Sequence, residues 1–169
     1  MQNEMEVIET RERAGRKLDE QARECFRAGV HHLNESDYAE ALPLLREAAG
    51  LAPENAQVRS SLGVAIAFVD RDFDVARTLC ESAAKQEFFN PDLYLNLAHV
   101  YLGFGRRSEA LRYLRRGQMI DPGHIAIQRM LARLGRRRSP IVPFLPRRHP
   151  LNRALGSARS FVMAPFVGR

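Results

Sequence analysis

The chain has 169 residues, 45% of them hydrophobic and 27% charged, the proportions of a soluble globular protein. Its 26 basic and 20 acidic side chains give a formal charge of +6, but Asp121 is the last acidic residue, and the ten arginines beyond it leave the first 121 residues at −4. Cys25 and Cys80 are too few for a disulfide framework, residues 1–17 lack the apolar core of a secretory signal, and no stretch approaches the ~18 apolar residues of a membrane span, so a reduced, cytoplasmic protein is expected.

Residues 1–21 form a charged N-terminal extension, and residues 10–21 are expected to lengthen the first helix. Three units of similar pattern follow at 22–55, 56–90 and 91–124, with one extra residue in the second. The first carries Ala28-Gly29, Tyr38, Ala41, Leu45 and Ala48 and closes on Pro53. The second carries Leu62-Gly63, Phe73, Ala76, Cys80 and Ala83, with its register beyond Asp70 open by one residue. The third carries Tyr94, Leu97-Ala98, Tyr101, Gly105, Ala110, Leu114 and Gly117 and closes on Pro122.

Each unit reads as two amphipathic helices. Small residues (Gly29, Gly63, Ala98; Ala41, Ala76, Ala110) stand where the paired helices approach, and larger apolar residues fill the space around them. Turn signals separate the helices. Asp37 and Glu40 have capping-box spacing, Asp70-Arg71-Asp72 leads into Phe73, and Gly105 to Ser108 leads into Glu109. Pro43, inside the second helix of the first unit, should remove one backbone bond and bend that helix.

Residues 125–138 continue as a further helix. Ile127, Met130, Leu131 and Leu134 follow helical spacing while Arg129, Arg133 and Arg136 face elsewhere, the pattern of a solvating cap on a repeat array. Residues 139–169 are a basic tail in which Pro140, Pro143, Pro146 and Pro150 exclude a helix and favour extended chain.

The three units resemble the tetratricopeptide repeat family over residues 22–124. The resemblance implies an all-α fold, a right-handed superhelical solenoid of helix-turn-helix repeats. The second unit departs most, with Arg59 where an aromatic residue is usual and Phe88 or Phe89 in place of the closing proline. The resemblance further implies that the first helix of each repeat lines a concave surface holding a peptide or a partner helix. On that mapping the surface is built from Phe26, Val30, Leu33, Ser60, Val64, Ala67, Phe68, Leu95, His99 and Leu102. One subclass of the family grips acidic C-terminal carboxylates of chaperones with cationic side chains. The corresponding positions here are Phe26, Val30, Ser61, Asp92 and Asn96, none of them cationic, so that ligand class is rejected. A largely apolar groove is suited instead to an apolar extended segment or an amphipathic helix.

The tail admits three readings. It is a solvated segment that docks its apolar residues on the acidic body. Alternatively, Arg136, Arg137, Arg138, Arg147, Arg148 and Arg153 anchor it to an anionic surface, membrane or RNA, with binding that weakens steeply in salt. In the third, another protein reads it as a linear motif.

Catalytic chemistry finds no support in the residue pattern. His31 is expected to be exposed and His32 to sit at the helix-pair interface, both without the acidic neighbours a metal cage needs. Cys25 and Cys80 read as small packing residues. Gly103-Phe104-Gly105 follows a helix rather than a strand and so is no phosphate loop. His124 reads as a helix-start residue, and His99 as a hydrogen-bonding group on the groove wall. No cofactor, metal or catalytic residue is assigned. The sequence points to a non-catalytic adaptor or scaffold that holds an apolar protein segment. Two further readings are a chaperone for a hydrophobic client, by similarity in size and repeat number to the small chaperones of secretion translocators, and an assembly factor tethered by its tail. Nothing in the sequence specifies an oligomeric state.

Overall fold

The computed structural model describes residues 19–135. The expectations for residues 1–18, and for the tail including Arg136, Arg137, Arg138, Arg147, Arg148 and Arg153, lie outside the described residues. Seven helices and no strand are found among the described residues: α1 (residues 19–34), α2 (Tyr38–Leu51), α3 (Ala56–Val69), α4 (Phe73–Gln86), α5 (Pro91–Gly103), α6 (Arg107–Ile120) and α7 (Ile125–Gly135). Each of α3 and α5 packs on its successor, α3 also packs on α2 and α5, and α4 on α5. This is a helical repeat solenoid.

The spacing of small residues explains how close the paired helices come. A Cβ on Gly29 would lie 2.7 Å from Cγ of Leu45, and one on Gly63 would lie 2.7 Å from Sγ of Cys80 and 2.9 Å from the Ala76 carbonyl oxygen. Leu45, Cys80 and Leu114 occupy the same place in successive pairs, and all three are fully buried. Burying a side chain of leucine size stabilises the fold by about 1.5–3 kcal/mol. In the third pair Ala98 replaces the glycine, and the tight contact moves outward: a Cβ on Gly117 would lie 2.6 Å from Cδ1 of Ile127 on α7. Of the four α7 residues at helical spacing, Ile127 and Met130 are buried.

Turns alternate between three residues (35–37, 70–72, 104–106) and four (52–55, 87–90, 121–124). The middle residue of each three-residue turn is left-handed: Ser36 at φ 64°, Arg71 at φ 58° and Gly105 at φ 72°. The extra residue of the second unit is absorbed before Asp70, because α3 has 14 residues where α5 has 13. Asn55, Asp72 and Asn90 cap α3, α4 and α5 through side-chain oxygens that accept backbone N–H bonds at 3.0–3.1 Å. The capping box expected at Asp37 is not made. Asp37 makes no side-chain cap bond, and its carboxylate lies 3.4 Å from Nδ1 of His32 instead. Helix α2 runs unbroken through the exposed Pro43.

Arg59 does the work of the aromatic residue it replaces. Tyr94, at the equivalent position of the third unit, donates its hydroxyl to the Phe88 carbonyl six residues back at 3.1 Å. Arg59 donates to the Pro53 carbonyl, also six residues back, at 3.4 Å, and to the Gln86 side chain. Both side chains tie the start of an odd-numbered helix to the four-residue turn before it.

Two glycines separate the steric from the backbone constraint. Gly63→Ala should destabilise by about 1–3 kcal/mol through overpacking against the Ala76 carbonyl. Gly105→Ala should cost about 1 kcal/mol from its left-handed φ alone, since no atom lies within 4 Å of the added Cβ. Urea denaturation measures both, and an unchanged midpoint for Gly63→Ala would contradict the close helix approach.

Candidate functional site

The odd-numbered helices present one face each to a common hollow. Helix α1 contributes Phe26, Val30 and Leu33, α3 contributes Gln57, Ser61 and Val64, and α5 contributes Asp92, Leu93, Leu95, Asn96 and His99. Phe26, Val30 and Leu33, Gln57, Ser61 and Val64, and Asp92, Asn96 and His99 each recur at i, i+4 and i+7, the spacing that keeps side chains on one side of a helix, while Leu93 and Leu95 flank the last set. Asn34 at the end of α1, Ser36 in the first turn and Tyr38 at the start of α2 also enter, as do His124 and Ala126 around the start of α7. The cavity measures about 520 Å³. It is lined by no lysine or arginine, and Asp92 is its single carboxylate.

Six of the ten residues mapped to the concave surface meet here: Phe26, Val30, Leu33, Val64, Leu95 and His99. Ser60, Ala67, Phe68 and Leu102 do not line this cavity. Ser60 and Ala67 have no exposed surface. The Ser60 hydroxyl accepts from Nδ2 of Asn96 at 3.1 Å, and its carbonyl accepts from the Cys80 thiol at 3.3 Å. Both residues therefore join helices together and offer nothing to a partner. Phe68 stacks on Tyr38 with ring centres 4.1 Å apart and abuts Gly103, while Leu102 is half-buried. Tyr38, Gln57, Leu93, His124 and Ala126 were not in the mapped set. Most of them stand at helix starts, where the helical repeat pattern has only begun.

The start of α7 is fixed by His124. The Ile127 N–H donates to Nδ1 of His124 at 3.3 Å, and Nε2 lies 2.9 Å from Oδ1 of Asp92. With Nδ1 accepting, the ring proton sits on Nε2 and is given to the carboxylate. One imidazole thus caps α7 and joins it to the first turn of α5.

His31 and His32 have acidic neighbours after all. Nδ1 of His31 lies 3.4 Å from Glu35, one helical turn on, and Nδ1 of His32 lies 3.4 Å from Asp37 across the turn. The spacing of Glu35 was legible, whereas Asp37 meets His32 across the turn, at a separation helical spacing does not encode. Among the described residues no group of three or more His, Cys, Asp or Glu side chains could hold a metal ion, and no helix is long and apolar enough to cross a membrane. Burial pushes the Cys80 thiol up to about 12 and raises that of Cys25, with Glu47 adding to the effect, so both thiols are held in the protonated, weakly nucleophilic form.

His99 is half-buried on the cavity wall and has no hydrogen-bond partner among the described residues. Burial, with a smaller contribution from Arg133 on α7, holds its pKa below the ordinary value of 6.5. A depressed histidine binds fewer protons folded than unfolded, so stability rises with pH through that region. Its contribution is complete above about pH 6.5 and is lost as the pH falls from there through the folded-state value. His99→Gln should therefore lose less stability than the parent protein between about pH 7 and pH 5 in urea titrations. Equal losses would mean that the imidazole is fully hydrated.

The family model described as tetratricopeptide repeat matches residues 67–134. No curated protein sequence matches the chain. Among solved structures, the chain is similar to the Arabidopsis OM64 TPR domain at 20% identity and TM-score 0.54, covering 68% of this chain and 94% of that one. The first TPR of Spaghetti (RPAP3), bound to the HSP90 peptide SRMEEVD, matches at 17% identity and TM-score 0.53, covering 69% of this chain and 91% of that one. The second TPR domain of human RPAP3, in complex with the HSP70 peptide SGPTIEEVD, matches at 15% identity and TM-score 0.54, covering 71% of this chain and 99% of that one. Residues 67–134 thus match the tetratricopeptide-repeat model, and the fold of the described residues is similar to that of solved TPR domains.

Proposed function

We propose that the chain is a non-catalytic adaptor whose three repeats, closed by α7 as a cap, hold an apolar protein segment in the hollow of α1, α3 and α5. The observation that carries this reading is the chemistry of the cavity wall. Phe26, Val30, Leu33, Val64 and Leu95 form an apolar surface across three helices, with Asn96 and His99 placed between them as hydrogen-bonding groups. A concave, mostly apolar site with a few polar groups is the usual form of a recognition surface.

Two of the similar domains hold peptides ending in EEVD, which supports a protein partner. The acidic character of those peptides does not transfer. The positions that correspond to the cationic clamp are Phe26, Val30, Ser61, Asp92 and Asn96, and Asp92 would repel a terminal carboxylate. The occupant is therefore an apolar extended segment or the apolar face of a helix, carrying a neutral or cationic group opposite Asp92. His99 gives or accepts one hydrogen bond from its backbone.

Peptide display against the full-length protein tests this. Selected peptides should be rich in apolar residues, and a synthetic SRMEEVD peptide should not bind. Val30→Arg combined with Leu95→Arg should weaken the selected peptides about tenfold or more while the far-ultraviolet circular dichroism stays unchanged. Val64, only 5% exposed, is left intact because a charge there would open the core. Enrichment of acidic C-termini would overturn the reading, and loss of helicity in the double variant would assign Val30 and Leu95 to packing.

A further inference from the structure

The charge of the described array changes sign along its length. Residues 19–55 carry eight carboxylates and three arginines, residues 56–90 five carboxylates and four cations, and residues 91–135 three carboxylates and seven arginines. The net charge therefore runs from −5 through −1 to +4. Five of the exposed charges at the two ends are without a close ion pair. Glu40 and Glu47 on α2 are exposed, and so are Arg112, Arg115 and Arg116 on α6. None of the five makes an ion pair among the described residues.

Both ends also show apolar surface beside their charges. The α6 arginines border an outer hollow of about 890 Å³ formed with Phe88, Phe89, Met119 and Ile120, and no carboxylate lines it. Phe89 is 80% and Met119 83% exposed, although the Arg116 guanidinium covers the Phe88 ring at 4.6 Å. At the opposite end, Glu40, Pro43, Leu44, Glu47 and Leu51 follow one face of α2 at i, i+3, i+4, i+7 and i+11. Pro43 on that face is exposed, and Leu44 and Leu51 are half-buried. At its edge Gln21 of α1 donates from Nε2 to Oε1 of Glu47 at 3.0 Å, a neutral partner that leaves the carboxylate's charge in place.

We propose that a second copy of this chain docks the α2 face of its acidic end into the α6 hollow of the first, carboxylates to arginines and leucines to the exposed phenylalanines and methionine. An anionic lipid surface would satisfy the arginines, but it would leave the acidic, apolar-studded face of α2 unexplained. A second copy accounts for both faces in one contact. The two surfaces are different patches of one molecule, so the contact is head-to-tail and each added copy leaves one of each face free. Assembly is therefore open-ended, rises with concentration and is screened by salt. It is independent of the cavity lined by α1, α3 and α5.

Sedimentation of the full-length protein from about 1 to 100 μM tests the contact. The average mass should climb with concentration at about 50 mM salt and fall toward the monomer at about 500 mM. Arg112→Glu, Arg115→Glu and Arg116→Glu together, or Glu40→Arg and Glu47→Arg together, should each weaken self-association about tenfold or more. Mixing the two variants should restore association, because each then meets its opposite charge. Phe89→Ser should weaken it with no change of charge, which separates docking in the hollow from unspecific attraction. A protein that stays monomeric throughout at low salt overturns the proposal. So does association that survives the α6 substitutions unchanged, since other arginines would then be responsible.

Discussion

The close approach of paired helices at a side chain's width or less is the constraint on which everything else rests. Gly29 against Leu45, Gly63 against Cys80 and Gly117 against Ile127 leave no room for a methyl group. Packing at that distance sets how each helix sits on its partner, and side chains in such interiors have no slack to absorb an error. The hollow lined by α1, α3 and α5 exists because three helices are held with their i, i+4, i+7 faces toward one another. A small change at the glycine contacts would shift the faces that meet there.

Close packing alone does not fix the longitudinal position of each helix. That is done by polar contacts at the turns. Asn55, Asp72 and Asn90 cap three helices, and His124 caps a fourth through its ring while binding Asp92. Tyr94 and Arg59 use different chemistry for one purpose, each reaching back six residues to a turn carbonyl. The phenol does so with a single hydroxyl on a rigid ring, whereas the guanidinium has five donors and can also bind Gln86. A turn carbonyl needs a donor, not an aromatic ring, and this is why the departure at Arg59 leaves the helix pair intact.

Charge is distributed so that the inner and outer surfaces differ in kind. The inner hollow has no cation and one carboxylate. On the outside, Arg71 and Arg106 lie over Phe104 and Phe73 at 5.1 and 3.9 Å, closing the edges of two turns. On α6, Arg112 and Arg116 lie over Tyr113 and Phe88 in the same manner. Arg71, Arg77, Arg106, Arg112 and Arg116 thus lie over aromatic rings at the periphery, and the two surfaces differ in charge.

The sequence by itself determined the class of fold. Glycine and alanine recurring at a spacing of 34 or 35 residues, with turn residues between them, leave helix pairs in tandem as the arrangement that buries every apolar stripe. Periodicity told which face of each helix is apolar, whereas the choice of Phe26, Val30, Leu33, Val64, Leu95 and His99 as wall residues came from the family resemblance, which implies that the first helix of each repeat lines the concave side. The tertiary structure decided what periodicity cannot express. Ser60 and Ala67 share the phase of wall residues but vanish between α3 and its neighbours, because a helix in a solenoid is contacted on several sides at once. Tyr38, Gln57, Leu93, His124 and Ala126 enter the hollow from helix starts, where a stripe is too short to register. The capping box at Asp37 gave way to a contact with His32, a partner that only the folded turn brings within 3.4 Å, whereas Asp72 at the same place in the next repeat does cap its helix. Local spacing fixes which face of a helix is apolar; only the packed array decides how much of that face remains open.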